Sequence, residues 1–206
     1  MDHCELCKAL LTDERWYLSD GRVYCATCHA SSIFLPEDAD SLFQDMKAIL
    51  ASELDISLNI PTGLALVDQN QLGEVIRKQA SLELSGDRQN LLLDAEQTLG
   101  IYTRRGMRRG IYLQTGLPQA LFLQVAAHEL AHAWQGENCP VLRDPILREG
   151  FAEWVAFHVL GRYGYVESQE RMLARQDIYG EGLRWALKLE AGQGAQAVIT
   201  ACRDSG

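Results

Sequence analysis

Apolar positions along this chain recur with two different periods, near 3.6 in some stretches and near 2 in others, and the changes mark its elements. Leu121, Phe122, Leu123, Val125, Ala126, Ala127, Leu130, Ala131, Ala133 and Trp134 make residues 117–134 apolar nearly all round. Pro118 suits the first turn of such a segment and Gly136 a stop after it, so the pattern predicts a buried central helix. Leu42, Met46, Ile49, Leu50 and Leu54 follow the acidic start Glu37, Asp38, Asp40 at helical spacing, predicting a one-faced helix of roughly three to four turns. Residues 64–67 read as a buried strand, 69–84 as helical at first, and 85–90 as a loop. Residues 100–103 and 110–113 read as a hairpin, with Arg104, Arg105, Arg108 and Arg109 around Gly106 at its turn. Beyond a helix around 147–154, Gly161 and Gly164 mark a break. Two further helices are expected around 168–175 and 183–191, with 177–182 between them.

The 206 residues, 47% of them hydrophobic, suit one main domain with a small appendage. The boundary falls near Pro36, giving a module at 1–35 and a main domain at 36–206. A net charge of -9 disfavours binding to nucleic acid or to anionic membrane, and the four Arg read as a solvated turn tip. No apolar run reaches the length of a membrane span, and Met1-Asp2-His3-Cys4 resembles no secretory leader, so the expected location is cytoplasmic.

Cysteine spacing adds chemistry. Cys4 and Cys7, and Cys25 and Cys28, form two Cys-x-x-Cys knuckles joined by a second predicted hairpin, residues 15–18 and 22–24 about Ser19-Asp20-Gly21. Four thiolates close a tetrahedron around a structural zinc ion, which supplies the folding energy that so small a module lacks. His29 or His3 in place of one Cys, a haem attachment at Cys25-Ala26-Thr27-Cys28-His29, and a disulfide framework are the alternatives. Cys139 and Cys202 have no paired spacing and read as ordinary thiols.

Inside the central helix stands His128-Glu129-Leu130-Ala131-His132. Residues four apart share a helix face, so His128 and His132 can ligate one catalytic zinc ion, with Glu129 beside them as general base. The third ligand is expected at Glu149, and Glu153, one turn on, is placed to accept the free N–H of a ligating histidine. His158, on the opposite side of that helix, reads as a packed residue.

These stretches, in this order, resemble a known family. Glu149-Gly150-Phe151-Ala152 after His128-Glu129-x-x-His132 is similar to the gluzincin peptidases. Asp20-Gly21-Arg22, Cys25-x-x-Cys28, Gly116-Leu117-Pro118, Ala133-Trp134 and Tyr179-Gly180-Glu181-Gly182-Leu183-Arg184 extend the likeness to the peptidase region of the plant LIM-domain growth regulators, the DA-one-like family. The resemblance implies an α+β, minigluzincin-like zinc peptidase domain with a small antiparallel sheet and a LIM-like or zinc-ribbon module packed against it. It implies two zinc ions, one catalytic and one structural, and a peptide or protein substrate. The ubiquitin-interacting motifs and further LIM repeats of the plant proteins have no counterpart here, so ubiquitin activation is not carried over. Gluzincins commonly use a Tyr or His as oxyanion donor, and Tyr179 between its glycines is the candidate. The strand at 110–113, next to the zinc helix, is expected at the cleft rim, pairing with an extended substrate. The principal alternative is a non-enzymatic adaptor that binds a partner protein through its zinc module.

Overall fold

The structure, a computed structural model, describes residues 2–11, 13–82, 98–106 and 108–204; the loop expected at 85–90 lies outside them. The fold is α+β, with helices predominating over small sheets. At the N-terminus β1 (Arg15–Tyr17) and β2 (Val23–Cys25) form the expected antiparallel hairpin, turning at Gly21 with a φ of 93°. A short helix α1 (Ala26–Ala30) and the strand β3 (Ser32–Ile33) follow.

Helix α2 (Pro36–Leu54) starts on a proline, with Glu37 and Asp38 in its first turn facing the positive end of the helix dipole. It is longer than expected, because no break interrupts it before Asp55 adopts a left-handed conformation and returns its N–H towards Leu50. Its buried stripe is Ala39, Phe43, Met46, Leu50 and Leu54, with Leu42 half-buried against the same core.

Strand β4 (Thr62–Val67) leads through α3 (Gln69–Leu82) towards the hairpin β5 (Gly100–Arg105) and β6 (Arg108–Gln114). The order is β4-β6-β5, with β6 parallel to β4 and antiparallel to β5. Two expectations are corrected here. The sheet is mixed rather than antiparallel, because the chain returns past α3 to lay β6 alongside β4 in the same direction. Residues 110–113 are also central, not at the rim: Ile111 and Leu113 are fully buried and their strand is paired on both sides. The outer strand of that hairpin is β5.

A two-residue strand β7 (Leu117–Pro118) then leads into α4 (Gln119–Asn138). Gly136 does not stop α4, which runs to the residue before Cys139; Pro140, which disfavours helix in the residue ahead of it, sets the end. Asp144 caps α5 (Pro145–Arg162), its Oδ1 accepting from the N–H groups of Ile146 at 2.8 Å and Leu147 at 3.2 Å. Gly164, with a φ of 78°, turns the chain into α6 (Val166–Ala174). Residues 177–182 are not a connecting loop. Asp177 accepts from the Gly180 N–H at 3.1 Å and caps α7 (Ile178–Gln193), so the glycine-rich stretch is the first turn of that helix. A further helix, α8 (Ala195–Asp204), was hidden by Gly192 and Gly194 ahead of it and buries Val198, Ile199 and Cys202.

One core joins α2, α4, α5, α7 and α8 around Phe122, Leu123, Trp134, Phe151 and Trp154. Helices α5 and α7 approach backbone to backbone, since a Cβ on Gly150 would lie 2.6 Å from the Gly182 Cα and one on Gly182 2.5 Å from the Gly150 Cα. A separate small core of Cys4, Leu11, Tyr24 and Cys28 holds the N-terminal module. That module docks at the start of α4: β3 pairs antiparallel with β7, and the Arg22 guanidinium donates to the Thr115 carbonyl at 2.8 Å. Among the described residues no helix is long and apolar enough to cross a membrane.

Candidate metal centres and active site

The two knuckles bring their thiols towards one another. The Sγ atoms of Cys4, Cys7, Cys25 and Cys28 all lie within 4.8 Å of one another, with Cys7 and Cys25 at 3.8 Å. Zinc–sulfur bonds of about 2.3 Å put tetrahedral sulfurs roughly 3.8 Å apart, so the spacing fits. Burial pushes the Cys4 thiol up, but backbone N–H groups of Cys7, Cys25 and Leu6 outweigh it and bring the pKa down to about 6. Those N–H groups favour a thiolate at Cys4, whereas burial and the neighbouring cysteines push the Cys28 thiol up. His29 instead stacks between Trp16 and Phe34, with ring centroids 5.0 Å away on each side, and His3 serves through a backbone bridge to Leu10. Since Cys25 and Cys28 turn towards Cys4 and Cys7, the haem pattern gains no support.

The second group is built on two helices. Helix α4 sets His128 above His132, and α5 brings Glu149 across to them. Nε2 of His128 and Nε2 of His132 are 3.0 Å apart, and Glu149 Oε2 lies 3.3 Å from the first and 3.2 Å from the second. Three lone-pair atoms crowded this way repel unless a cation or protons lie between them. Tetrahedral ligands on zinc at about 2.0–2.1 Å stand roughly 3.4 Å apart, close to what is seen. The donors therefore suit a metal ion, with a fourth position left over.

Electrostatics around the group point the same way. Burial works against a charged His128, but Glu149 and Glu153 outweigh it and raise the imidazole pKa to about 10. Burial likewise pushes the Glu149 carboxyl up, yet His132 and His128 hold it far below the usual carboxylate range. The surroundings are organised to stabilise positive charge at the centre.

Glu153, only 4% exposed, brings Oε1 to 3.0 Å from His128 Nδ1. The approach is a charge contact without the alignment of a hydrogen bond, since neither Nδ1 nor Glu153 Oε2 has a hydrogen-bond partner. His132 Nδ1 is held by Gln135 Oε1 at 2.8 Å, and the Gln135 amide donates to the Arg148 carbonyl at 2.9 Å. Glu129 is fixed by the backbone, its Oε2 accepting from the Tyr102 N–H of β5 at 2.7 Å. The Tyr179 ring lies 6.0 Å from that of His128, and the Arg175 guanidinium sits over it at 4.4 Å. Arg175 also reaches Glu153 at 3.8 Å and Asp177 at 2.8 Å. His158 packs edge-on to Trp154 and meets Glu190 at 3.0 Å, away from the group.

His128, His132, Glu149, Glu153 and Tyr179 thus lie together, with Glu129 on the same turn of α4 and His158 outside the group. Gln135 and Arg175 were missed. Gln135 left a faint signal, a polar residue three positions past His132 in an apolar helix, whereas Arg175 left none. Fold and site together define an α+β protein with a four-cysteine group and a two-histidine, one-glutamate group, each able to hold a metal ion. No family model, no curated protein and no solved structure matches the chain.

Proposed function

We propose that this chain is a zinc metallopeptidase of the gluzincin type, similar to the DA-one-like family, with a structural zinc ion in its N-terminal module. The observation that carries the reading is the meeting of His128, His132 and Glu149 at 3.0–3.3 Å, with Glu129 on the same helix turn as the two histidines. A zinc ion held there would acidify water and polarise a peptide carbonyl. Glu129, anchored by the Tyr102 N–H, accepts the proton of the attacking water and returns it to the leaving amine. A metal scaffold needs the ligands but no such base. Tyr179, on the wall beside His128, donates its O–H to the carbonyl oxygen as charge develops.

Substrate binding moves to β5. The Tyr102 N–H points away from β6 and towards Glu129, and backbone direction alternates along an antiparallel strand. Arg104, exposed two residues on, therefore turns its N–H and C=O to the same outer edge, where an extended peptide can add as a strand. The adaptor reading keeps one observation in its favour: Leu10 at 53% and Tyr17 at 69% are exposed on the zinc module.

Glu129→Gln separates the two readings. The amide keeps the volume but cannot take a proton, so peptide hydrolysis should fall by about 100-fold or more with zinc content and melting unchanged. Undiminished hydrolysis in a zinc-loaded Glu129→Gln protein would end the peptidase reading. Elemental analysis of wild type, Cys4→Ser and His128→Ala should count two, one and one zinc.

A further inference from the structure

The six cysteines divide into two kinds. Four form the zinc-type cluster, with sulfurs at a spacing that leaves room for an ion. The remaining two, far apart in the chain, meet inside the main core: the Cys139 S–H donates to Cys202 Sγ at 3.4 Å. Cys139 is the residue just beyond α4 and is 5% exposed, while Cys202 lies on α8 and is fully buried. No His, Asp or Glu joins them in a metal-type group among the described residues, so the pair is a dithiol and not a third metal site. The Gln135 amide nitrogen, whose own oxygen holds the metal-facing His132, donates to Cys202 Sγ at 3.5 Å.

We propose that Cys139 and Cys202 are a redox-active dithiol that closes to a disulfide and fastens α8 to the end of α4. The sulfurs need to approach by little more than 1 Å to reach a disulfide bond of about 2.05 Å. Cys139 reacts first, because it lies at a helix end next to the exposed residues Pro140 and Val141, whereas Cys202 is sealed. With hydrogen peroxide as the oxidant, the Cys139 thiolate attacks one peroxide oxygen, the O–O bond breaks, and hydroxide leaves to take up the thiol proton as water. The resulting sulfenic acid is attacked by the Cys202 sulfur, forming the S–S bond and releasing a second water. Two thiols thereby give two electrons to one peroxide. The contact tying Gln135 to Cys202 links this chemistry to His132, but the disulfide does not depend on the chain being a peptidase.

Treatment of the zinc-loaded full chain with a few equivalents of hydrogen peroxide, followed by intact mass and peptide mapping, tests this. Wild type should lose two hydrogens in a Cys139–Cys202 crosslink that dithiothreitol reverses, and its melting midpoint should rise by about 5–10 °C while crosslinked. Cys202→Ser should show no crosslink and instead be labelled by dimedone at Cys139. Cys139→Ser should show neither crosslink nor label on Cys202. Intact thiols at both positions, dimedone on Cys202, crosslinks confined to the module cysteines, or a midpoint that stays or falls on crosslinking would each overturn the proposal. None of these readouts uses hydrolysis, so failure here and failure of the peptidase reading are separable.

Discussion

His132 is held from two sides, and the second side is the less obvious. Its Nε2 faces His128 and Glu149 while its Nδ1 is fixed by Gln135, a residue only 6% exposed. Replacing that partner should loosen the ring without touching a ligand. Gln135→Leu is expected to weaken zinc binding at the His128 site by roughly 10- to 100-fold in chelator competition, with the four-cysteine site unaffected. Tyr179 calls for a kinetic test. Tyr179→Phe should lower kcat on a cleavable peptide by about 10- to 1000-fold with little change in KM, and an unchanged kcat would make it a wall residue. The candidate pairs His128 and His132 on α4 and Glu149 and Glu153 on α5 were legible in the sequence because each sits within one helical turn, where spacing alone dictates the face. Gln135 and Arg175 were far less so. Arg175 matters only because α7 brings Tyr179 beneath its guanidinium and α5 brings Glu153 within reach, and no local pattern encodes either approach.

Among the elements, helix positions were easier to read than strand order. The apolar stripe of α2 and the hairpin of β5 and β6 are local patterns. The placing of β6 between β4 and β5 depends on a parallel crossover, and the alternation of residues 110–113 is the same for a central strand as for an edge. Glycines at 180 and 182 likewise suggested a loop, although they serve a helix. Gly182 lets α7 lie directly on α5 at Gly150, and this crossing positions Tyr179 beside His128. Gly182→Ala should cost about 1–3 kcal/mol in urea unfolding, since neither backbone can yield cheaply. On the same helix Gly192 has nothing within 4 Å of where a Cβ would stand, so Gly192→Ala should be neutral or stabilise by up to about 1 kcal/mol.

For the molecule as a whole, a buried ion pair inside the module joins β3 and β7 in tying the module to the main core. The Asp20 and Arg22 side chains are 1% and 4% exposed and meet at 2.8 Å; Arg22 also reaches Thr115, and Asp20 accepts from the Gln69 N–H at 3.1 Å. Burial pushes the Asp20 carboxyl up, but the Arg22 guanidinium and the Gln69 N–H outweigh it and lower its pKa. A depressed folded pKa stabilises fully above the unfolded value of about 3.9 and loses that contribution as pH falls through the lower folded value. Asp20→Asn leaves Arg22 buried without its charge partner, so the variant should be less stable than wild type by about 3–5 kcal/mol near pH 7. In melting curves the gap should close below about pH 4, while a gap constant down to pH 3 would remove this pair from the contact. A different consequence follows from the pairing of β3 with β7. The Ser32 hydroxyl bonds to the Gly116 carbonyl across 84 residues of chain. At ribosomal speeds of about 5–20 residues per second, β3 leaves the tunnel roughly 4–17 s before its partner does. During synthesis the finished module therefore carries an open strand edge for seconds, and that interval is when it is most exposed to pairing with another nascent chain.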